Sequence, residues 1–273
     1  MRIIVTGGNS GVGKATAHAM AAAGHEVIIA CRTVTKGYQA AASMPGDVEV
    51  RELDLADLTS VRKFADTVDY VHVLVNNAGV LGLPLARTAD GFEAHMGTNH
   101  LGHFALTCLL GDRIRDRVVA VASTNYTTAR IHFDDLNYRR RRYNPWSAYG
   151  ESKLANLLFV HGLVARGKTA YASDPGMTDT GITRNGSGVL RWAGRVLAPR
   201  IAQSPADGAR STIQAITTTL PNGTYIAPRG VMHQWGKPKP TKLRDKARDA
   251  DSARRLWDIS AELTGCQWQD RRP

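Results

Sequence analysis

The stretch "RIIVTGGNSGVGKATAHAMAAAG", residues 2–24, decides how the chain begins. It opens on an uninterrupted apolar run, crosses a glycine-rich turn and enters an alanine-rich segment closing on Gly24, a residue suited to a helix C-terminus. Hydrophobicity without alternation marks a strand covered on both faces. In the turn Thr6–Lys14, Gly7 lets the chain reverse, Gly11 lets a ligand approach the backbone, and Gly13 allows the helix to sit close on the strand. With Asn9, Ser10 and Val12 between them, the turn would direct main-chain N–H groups at a phosphate before the helix N-terminus. Glycine-rich turns are common, and the spacing here is TGxxxGxG, not GxGxxG. Its place between a first strand and a helix is what makes it a phosphate-loop candidate.

Outward from this loop, strands and helices alternate. Strands are expected at Glu26–Cys31, Val48–Asp54, Val71–Asn77, Arg117–Ser123, Lys168–Asp174 and Gly223–Pro228. Helices are expected around Leu58–Ala65, around Phe92–Leu110, through Tyr149–Lys153 and at Asp251–Leu263. The order predicts an α/β fold, a single-domain Rossmann-type doubly wound parallel sheet flanked by helices and spanning residues 1–273. No repeat, linker or low-complexity segment interrupts it. In such sheets ligands lie beyond the carboxyl ends of the strands.

The 273 residues are 43% hydrophobic and 22% charged, ordinary for a globular protein. No apolar run reaches the ~18–20 residues of a membrane span. "MRIIVTGG" starts directly on a strand pattern, and a cytoplasmic protein is expected. Cys31, Cys108 and Cys266 are far apart and odd in number, which favours buried thiols over disulfides or metal ligation. The net charge of +11 gathers in "YRRRRY" (Tyr138–Tyr143) and "KPKPTKLRDKARD" (Lys237–Asp249). Neither stretch belongs to a nucleic-acid-binding motif, so both are expected to be solvated loops. His95, His100 and His103 cluster without HExxH or triad spacing, and no metal is expected.

In "PWSAYGESKLANLLFVHGL", Lys153 follows Tyr149 at i+4, on the face that carries Leu157 and Val160. By itself the pair reads as a lysine reaching past a half-buried tyrosine, or as a phenol acid whose pKa a neighbouring cation lowers. The rest of the chain favours the second reading. Thr6-Gly7-x-x-x-Gly11-x-Gly13 is followed by Asn76-Asn77-Ala78-Gly79, then Asn99, Ser123, Tyr149 and Lys153, then Pro175-Gly176 and Thr180. This ordered set resembles the short-chain dehydrogenase/reductase family. "TNHLGHFALT" (98–107), "IHFDDLN" (131–137), the Tyr149 helix and "RLWDISAELTG" (255–265) are similar to its retinol dehydrogenase-like branch, which includes the WW-domain oxidoreductases. The resemblance covers nearly the whole chain. Ala122 and Asp174 depart from it: the branch usually has Ser and His at those positions.

The resemblance implies a dinucleotide held by the glycine loop, by Asp54 and Leu55 at the adenine, by Asn77, Ala78 and Gly79 behind adenine and ribose, and by Pro175, Gly176 and Thr180. Arg32 ends the second strand where an acid would select NAD; a guanidinium forks onto a 2′-phosphate instead, favouring NADP(H). Tyr149 would be the acid/base, Lys153 its tuner and a ribose ligand, Ser123 a donor to the substrate oxygen, and Asn99 the holder of a water leading to Lys153. Bringing a tyrosine from a pKa of about 10 to 7 takes about 4 kcal/mol. A substrate lid is expected over 178–205, where Val189, Trp192, Ala193, Val196 and Ile201 share helical spacing, implying a small apolar carbonyl or alcohol substrate. The lid's arginines would allow contact with a membrane surface. The family also implies a homodimer or homotetramer paired through the helices bearing Asn99 and Tyr149, with a monomer as the alternative that the short neighbouring turns would favour. The alternative is a non-catalytic cofactor-sensing or regulatory protein on the same fold, of the kind that typically loses Tyr or Lys; here both remain.

Overall fold

The computed structural model describes residues 1–178 and 203–268. Thr180 and the expected lid helix therefore lie outside the described residues, apart from the lid's ends.

β1 (Arg2–Thr6), β2 (Glu26–Cys31) and β3 (Val48–Glu52) alternate with α1 (Gly11–Ala22), α2 (Val34–Ala41) and α3 (Leu58–Asp66). β4 (Val71–Asn76) leads to α4, residues 94–110, whose middle turn Gly97–Leu101 is π-helical. β5 (Ile114–Val121), α5 (Pro145–Ala165), β6 (Ala170–Ser173), α6 (Pro205–Thr217), β7 (Tyr225–Pro228), β8 (Pro238–Thr241) and α7 (Ala250–Thr264) follow. The sheet order is β3-β2-β1-β4-β5-β6-β7-β8, parallel except for β8. This is the doubly wound arrangement expected.

Both faces of the sheet are covered, which is why β1 needs no polar side. Ile4, Ile28 and Leu74 face a core with α3, α4, α5 and α7, while Ile3, Val5 and Ile29 face another with α1 and α6. Phe104, Phe159 and Trp257 stack where α4, α5 and α7 meet, with centroid separations of 5.0–5.7 Å. His100 Nε2 lies 2.9 Å from Ser260 Oγ in the same seam. Burial lowers the pKa of His100 to about 3, so it is a neutral interior strut.

Three sequence expectations need correction. α2 and α6 were not anticipated. α2 is eight residues long and carries Gly37 in its middle, too short and mixed for a clear period. α6 does carry a start signal, Ser204 capping Asp207 N with Pro205 at the first position. Second, the proline-broken basic stretch is not a plain solvated loop: Pro238–Thr241 pairs antiparallel with β7 as an edge strand, a position that tolerates proline. Lys246 Nζ grips the carbonyls of Thr127 and Ala129 at 2.8 and 2.7 Å. Third, "YRRRRY" is partly internal. Arg141 pairs with buried Glu151 at 3.1 Å and Asp135 at 3.4 Å, and Tyr138 donates to Glu151 at 2.7 Å. Among the described residues, no helix is long and apolar enough to cross a membrane.

Candidate active site

β1 and β4 lie side by side, yet the helices that follow them pack on opposite faces of the sheet, which leaves a crevice at their carboxyl ends. Thr6, the last residue of β1, ties this region together. Its hydroxyl accepts the N–H groups of Asn77 and Ala78 at 2.9 and 3.0 Å and meets His103 Nε2 at 2.9 Å. His103 Nδ1 lies 2.9 Å from the Asn99 carbonyl. That ring nitrogen must donate, so Nε2 accepts from Thr6. Burial lowers the pKa of His103 to about 4, which keeps it neutral for both bonds.

The glycine loop is shaped by what it excludes. Gly7 sits at φ +66°, and a Cβ at Gly13 would overlap the Asn77 amide and the Gly7 carbonyl. Asn77 Nδ2 holds the Thr6 carbonyl at 2.7 Å. The helix termini add a second constraint. Side chains of Asp57, Glu93, Asn144, Ser204 and Asp249 cap α3 to α7, whereas neither Ser10 at α1 nor Thr33 at α2 makes a side-chain cap. Uncapped first-turn N–H groups are ready anion donors. They occur at α1 and α2, the helices that follow β1 and β2, so the residues fit the phosphates of a dinucleotide. Arg32, at the N-terminus of α2, is exposed and makes no hydrogen bond or ion pair among the described residues. Asp54 turns its carboxylate onto Ala56 N at 2.9 Å, and Leu55 is buried beside it.

Tyr149 and Lys153 project from α5 into the same crevice. The Tyr149 ring is half-buried, while Lys153 is 4% exposed. Lys153 Nζ donates to the Val121 carbonyl at 2.9 Å and lies 5.6 Å from the Tyr149 ring centroid. Burial lowers the lysine's pKa to about 8, with the charge of Asp174 opposing the fall. The expected downward tuning of the phenol is not met here: burial, and after it the Asp174 charge, hold Tyr149 above its ordinary value, while Ser123 pulls the other way. Nζ is drawn to a backbone carbonyl instead of the phenol.

Asn99 lies in the π-helical turn, a rare geometry that concentrates at functional sites. Its side chain is fully committed: Oδ1 accepts Val80 N at 2.7 Å, and Nδ2 donates to Val80 O at 3.0 Å and Ser152 Oγ at 2.9 Å. Ser152 in turn donates to the Tyr149 carbonyl at 2.7 Å. Asn99 thus clamps the strand-end segment carrying Gly79, where a Cβ would stand 3.2 Å from Asn99 Oδ1. Ser152 was missed from sequence, although its place beside Lys153 and three residues after Tyr149 could have suggested it.

Three further groups surround the site without sequence warning. Buried His95 packs edge-on against Tyr149 at 6.3 Å, with its Nδ1 2.8 Å from buried Glu93. The Tyr143 hydroxyl lies 3.0 Å from the same Glu93 oxygen, and this carboxylate and burial raise its pKa. Asp174, met in the sequence only as a departure, is buried behind the site. Pro175 and Gly176 follow it, and Gln203 Nε2 donates to the Pro175 carbonyl at 3.1 Å. Among the described residues, no group of His, Cys, Asp and Glu side chains is arranged to hold a metal ion.

Residues 1–187 match the family described as short chain dehydrogenase. Mouse retinol dehydrogenase 12 is 40% identical over 98% of this chain and 87% of its own length. A putative uncharacterized protein from Mycobacterium paratuberculosis superposes with a TM-score of 0.85 at 44% identity, covering 98% of this chain and 95% of that one. A short chain dehydrogenase from Burkholderia cenocepacia, solved in complex with NADP, gives a TM-score of 0.63 at 25% identity over 82% of this chain and 94% of its own. With a crevice built on the glycine loop and an ordered tyrosine and lysine, the chain belongs to the short chain dehydrogenase family, NAD(P)-dependent oxidoreductases of alcohol and carbonyl groups.

Proposed function

We propose that the protein is an NADP(H)-dependent oxidoreductase that interconverts an apolar aldehyde or ketone with its alcohol. The observation that carries the reading is the half-buried Tyr149 with the buried Lys153 ammonium 5.6 Å from its ring and close to Gly79 after β4, Ser123 pulling the phenol's pKa down. When bound, the dinucleotide supplies the hydride and, once oxidised, a positive charge near the phenol.

In reduction, Tyr149 donates its proton to the developing alkoxide while Ser123 positions that oxygen. In oxidation, the tyrosinate takes the alcohol proton. Lys153 would hold the nicotinamide ribose hydroxyls, and its ammonium, 5.6 Å from the Tyr149 ring, is the cation available to a tyrosinate once it turns from the Val121 carbonyl. Because the Asn99 side chain is already committed, the second lone pair of its main-chain carbonyl, whose first accepts from His103 Nδ1, would guide a water toward Lys153. Arg32 and the uncapped start of α2 favour NADP(H) over NAD(H). In this reading Leu55, Asn77, Ala78, Gly79, Pro175 and Gly176 would contact the cofactor, and Thr180, outside the described residues, keeps the role expected from the sequence. Exposed apolar side chains at Trp146, Met177 and Trp235 suit an apolar substrate. The cytoplasmic location and single-domain extent belong to the same reading. Pairing of subunits through α4 and α5 would have to form over α7, which packs on both.

The test is NADPH oxidation followed by absorbance against retinal, medium-chain aldehydes, steroids and quinones, using the parent protein and Tyr149→Phe. Turnover lost in the variant, with NADPH affinity retained, supports the reading. Activity retained in Tyr149→Phe overturns the mechanism. Tight NADPH binding with no carbonyl turned over would favour the cofactor-sensing alternative.

A further inference from the structure

Asp174 immediately follows β6 and is 1% exposed. Its Oδ2 accepts the Tyr225 hydroxyl at 2.6 Å and the Thr124 hydroxyl at 2.8 Å, and its Oδ1 accepts Gly176 N at 2.8 Å. These bonds join β7, the turn that starts beside Ser123, and the Pro175-Gly176 turn. All three donors are neutral, and no ion pair is made to Asp174 among the described residues. A dry carboxylate supported only by neutral donors is costly unless a cation shares its surroundings. The buried cation at this edge of the sheet is Lys153. Its anchor, the Val121 carbonyl, belongs to a residue paired with Ser173, so the two buried charges hang from adjacent positions of neighbouring strands.

We propose that Asp174 is a positioning residue for the reaction: it fixes the turn carrying Ser123 and serves as the buried counter-charge that keeps the Lys153 ammonium in the site. The proposal rests on the reading of Lys153 as a cofactor-binding and tuning group. Each group facing the pair has an assigned state. From α5, Tyr149 and Lys153 both gain proton affinity from Asp174, although burial lowers Lys153 overall. From β7, Tyr225 stays a donor, its pKa raised by burial and by Asp174. From α4, His103 is neutral. Removing the negative charge therefore lowers the pKa of Lys153 and Tyr149 together. Where the resembling branch has His at this position, this chain has made both groups depend on one carboxylate.

The experiment measures NADPH affinity by fluorescence titration from pH 6 to pH 10 in the parent, Asp174→Asn, Asp174→His, Tyr225→Phe and Lys153→Met. Asn keeps the shape, and the Thr124 and Tyr225 hydroxyls can turn to accept from its amide. In the parent, affinity should weaken as Lys153 loses its proton. In both Asp174 variants the midpoint should move to lower pH by about one unit. Tyr225→Phe, which removes a bond and keeps the charge, should leave the midpoint in place. The alkaline limb of the NADPH-dependent rate should move with the binding midpoint. An unmoved midpoint in Asp174→Asn and Asp174→His, whatever the overall loss of affinity, would overturn the proposal, and the second neutral variant decides if the first fails to fold. A midpoint that survives Lys153→Met would overturn the reading of Lys153 and this proposal with it; one lost in Lys153→Met but unmoved in the Asp174 variants overturns this proposal alone.

Discussion

The glycine loop after β1 and the charged groups around α5 share one edge of the sheet but are held in opposite ways. Backbone builds the loop: Gly7 lies at φ +66°, Gly13 has no room for a Cβ, and Ser10 leaves the helix donors uncapped. Buried charge builds the other region: Lys153 hangs from one carbonyl, and Asp174 is held by neutral donors. The loop is damaged by any added atom. The charged region is damaged by a lost proton or a lost charge while its shape survives. In a steric site, binding and folding should therefore fail together, whereas in an electrostatic site they can move in opposite directions.

The largest effect should come from Tyr149→Phe, which removes only the phenol proton. We expect kcat to fall by about a thousandfold or more, with NADPH affinity within about twofold of the parent. Rate assays with fluorescence titration separate the two.

Gly13→Ala should do the reverse. Overpacking of this order costs about 1–3 kcal/mol, so cofactor affinity should fall by about tenfold to a hundredfold and thermal stability should drop with it. Stability unchanged alongside lost affinity would break the steric half of the comparison.

Lys153→Met sharpens the electrostatic half. The folded protein holds Lys153 near pKa 8, below the unfolded value of about 10.4, so the native state sheds this proton first. The penalty for burying the ammonium is full below about pH 8 and fades as pH rises toward 10. Against Lys153→Met, the parent should thus gain relative stability from pH 8 to 9.5, by about 1–2 kcal/mol in denaturant melts. At pH 7 the variant should melt higher and yet bind NADPH more weakly. A variant that loses both would place Lys153 with the glycine loop.

Arg32→Asp should act on cofactor choice alone. A charge-assisted contact is worth about 1.5–3 kcal/mol, so the NADPH-over-NADH preference should fall by about tenfold or more, with thermal stability unchanged because Arg32 is exposed and makes no hydrogen bond or ion pair among the described residues. Paired titrations of the two cofactors read it directly.

The difference between the two regions also explains what could be read from the chain. The loop is contiguous: strand, turn and helix lie within residues 2–24, and its glycines stand together in one turn. Tyr149, Lys153, Ser123 and Asn99 were legible only as an ordered set. Read alone, their types do not say that Asn99 spends its side chain on Val80 and Ser152, or that Lys153 turns to Val121. The basic stretches misled because charge was read without its partners. Arg141 needs Glu151 and Asp135, and Pro238–Thr241 needs the free edge of β7. Local sequence shows neither.

By itself, then, the sequence determined the alternation of elements, the strand covered on both faces, the glycine-rich turn after it and the motif order that singles out Tyr149 and Lys153. Each of these follows from local periodicity, glycine placement or motif order. Tertiary structure alone decided the protonation balance of the site. That balance depends on how deeply Lys153 and Tyr149 are buried and on the charge of Asp174, brought beside them when β5 and β6 pair. Burial and the field of a charge remote in sequence act through space, so they have no signature along the chain.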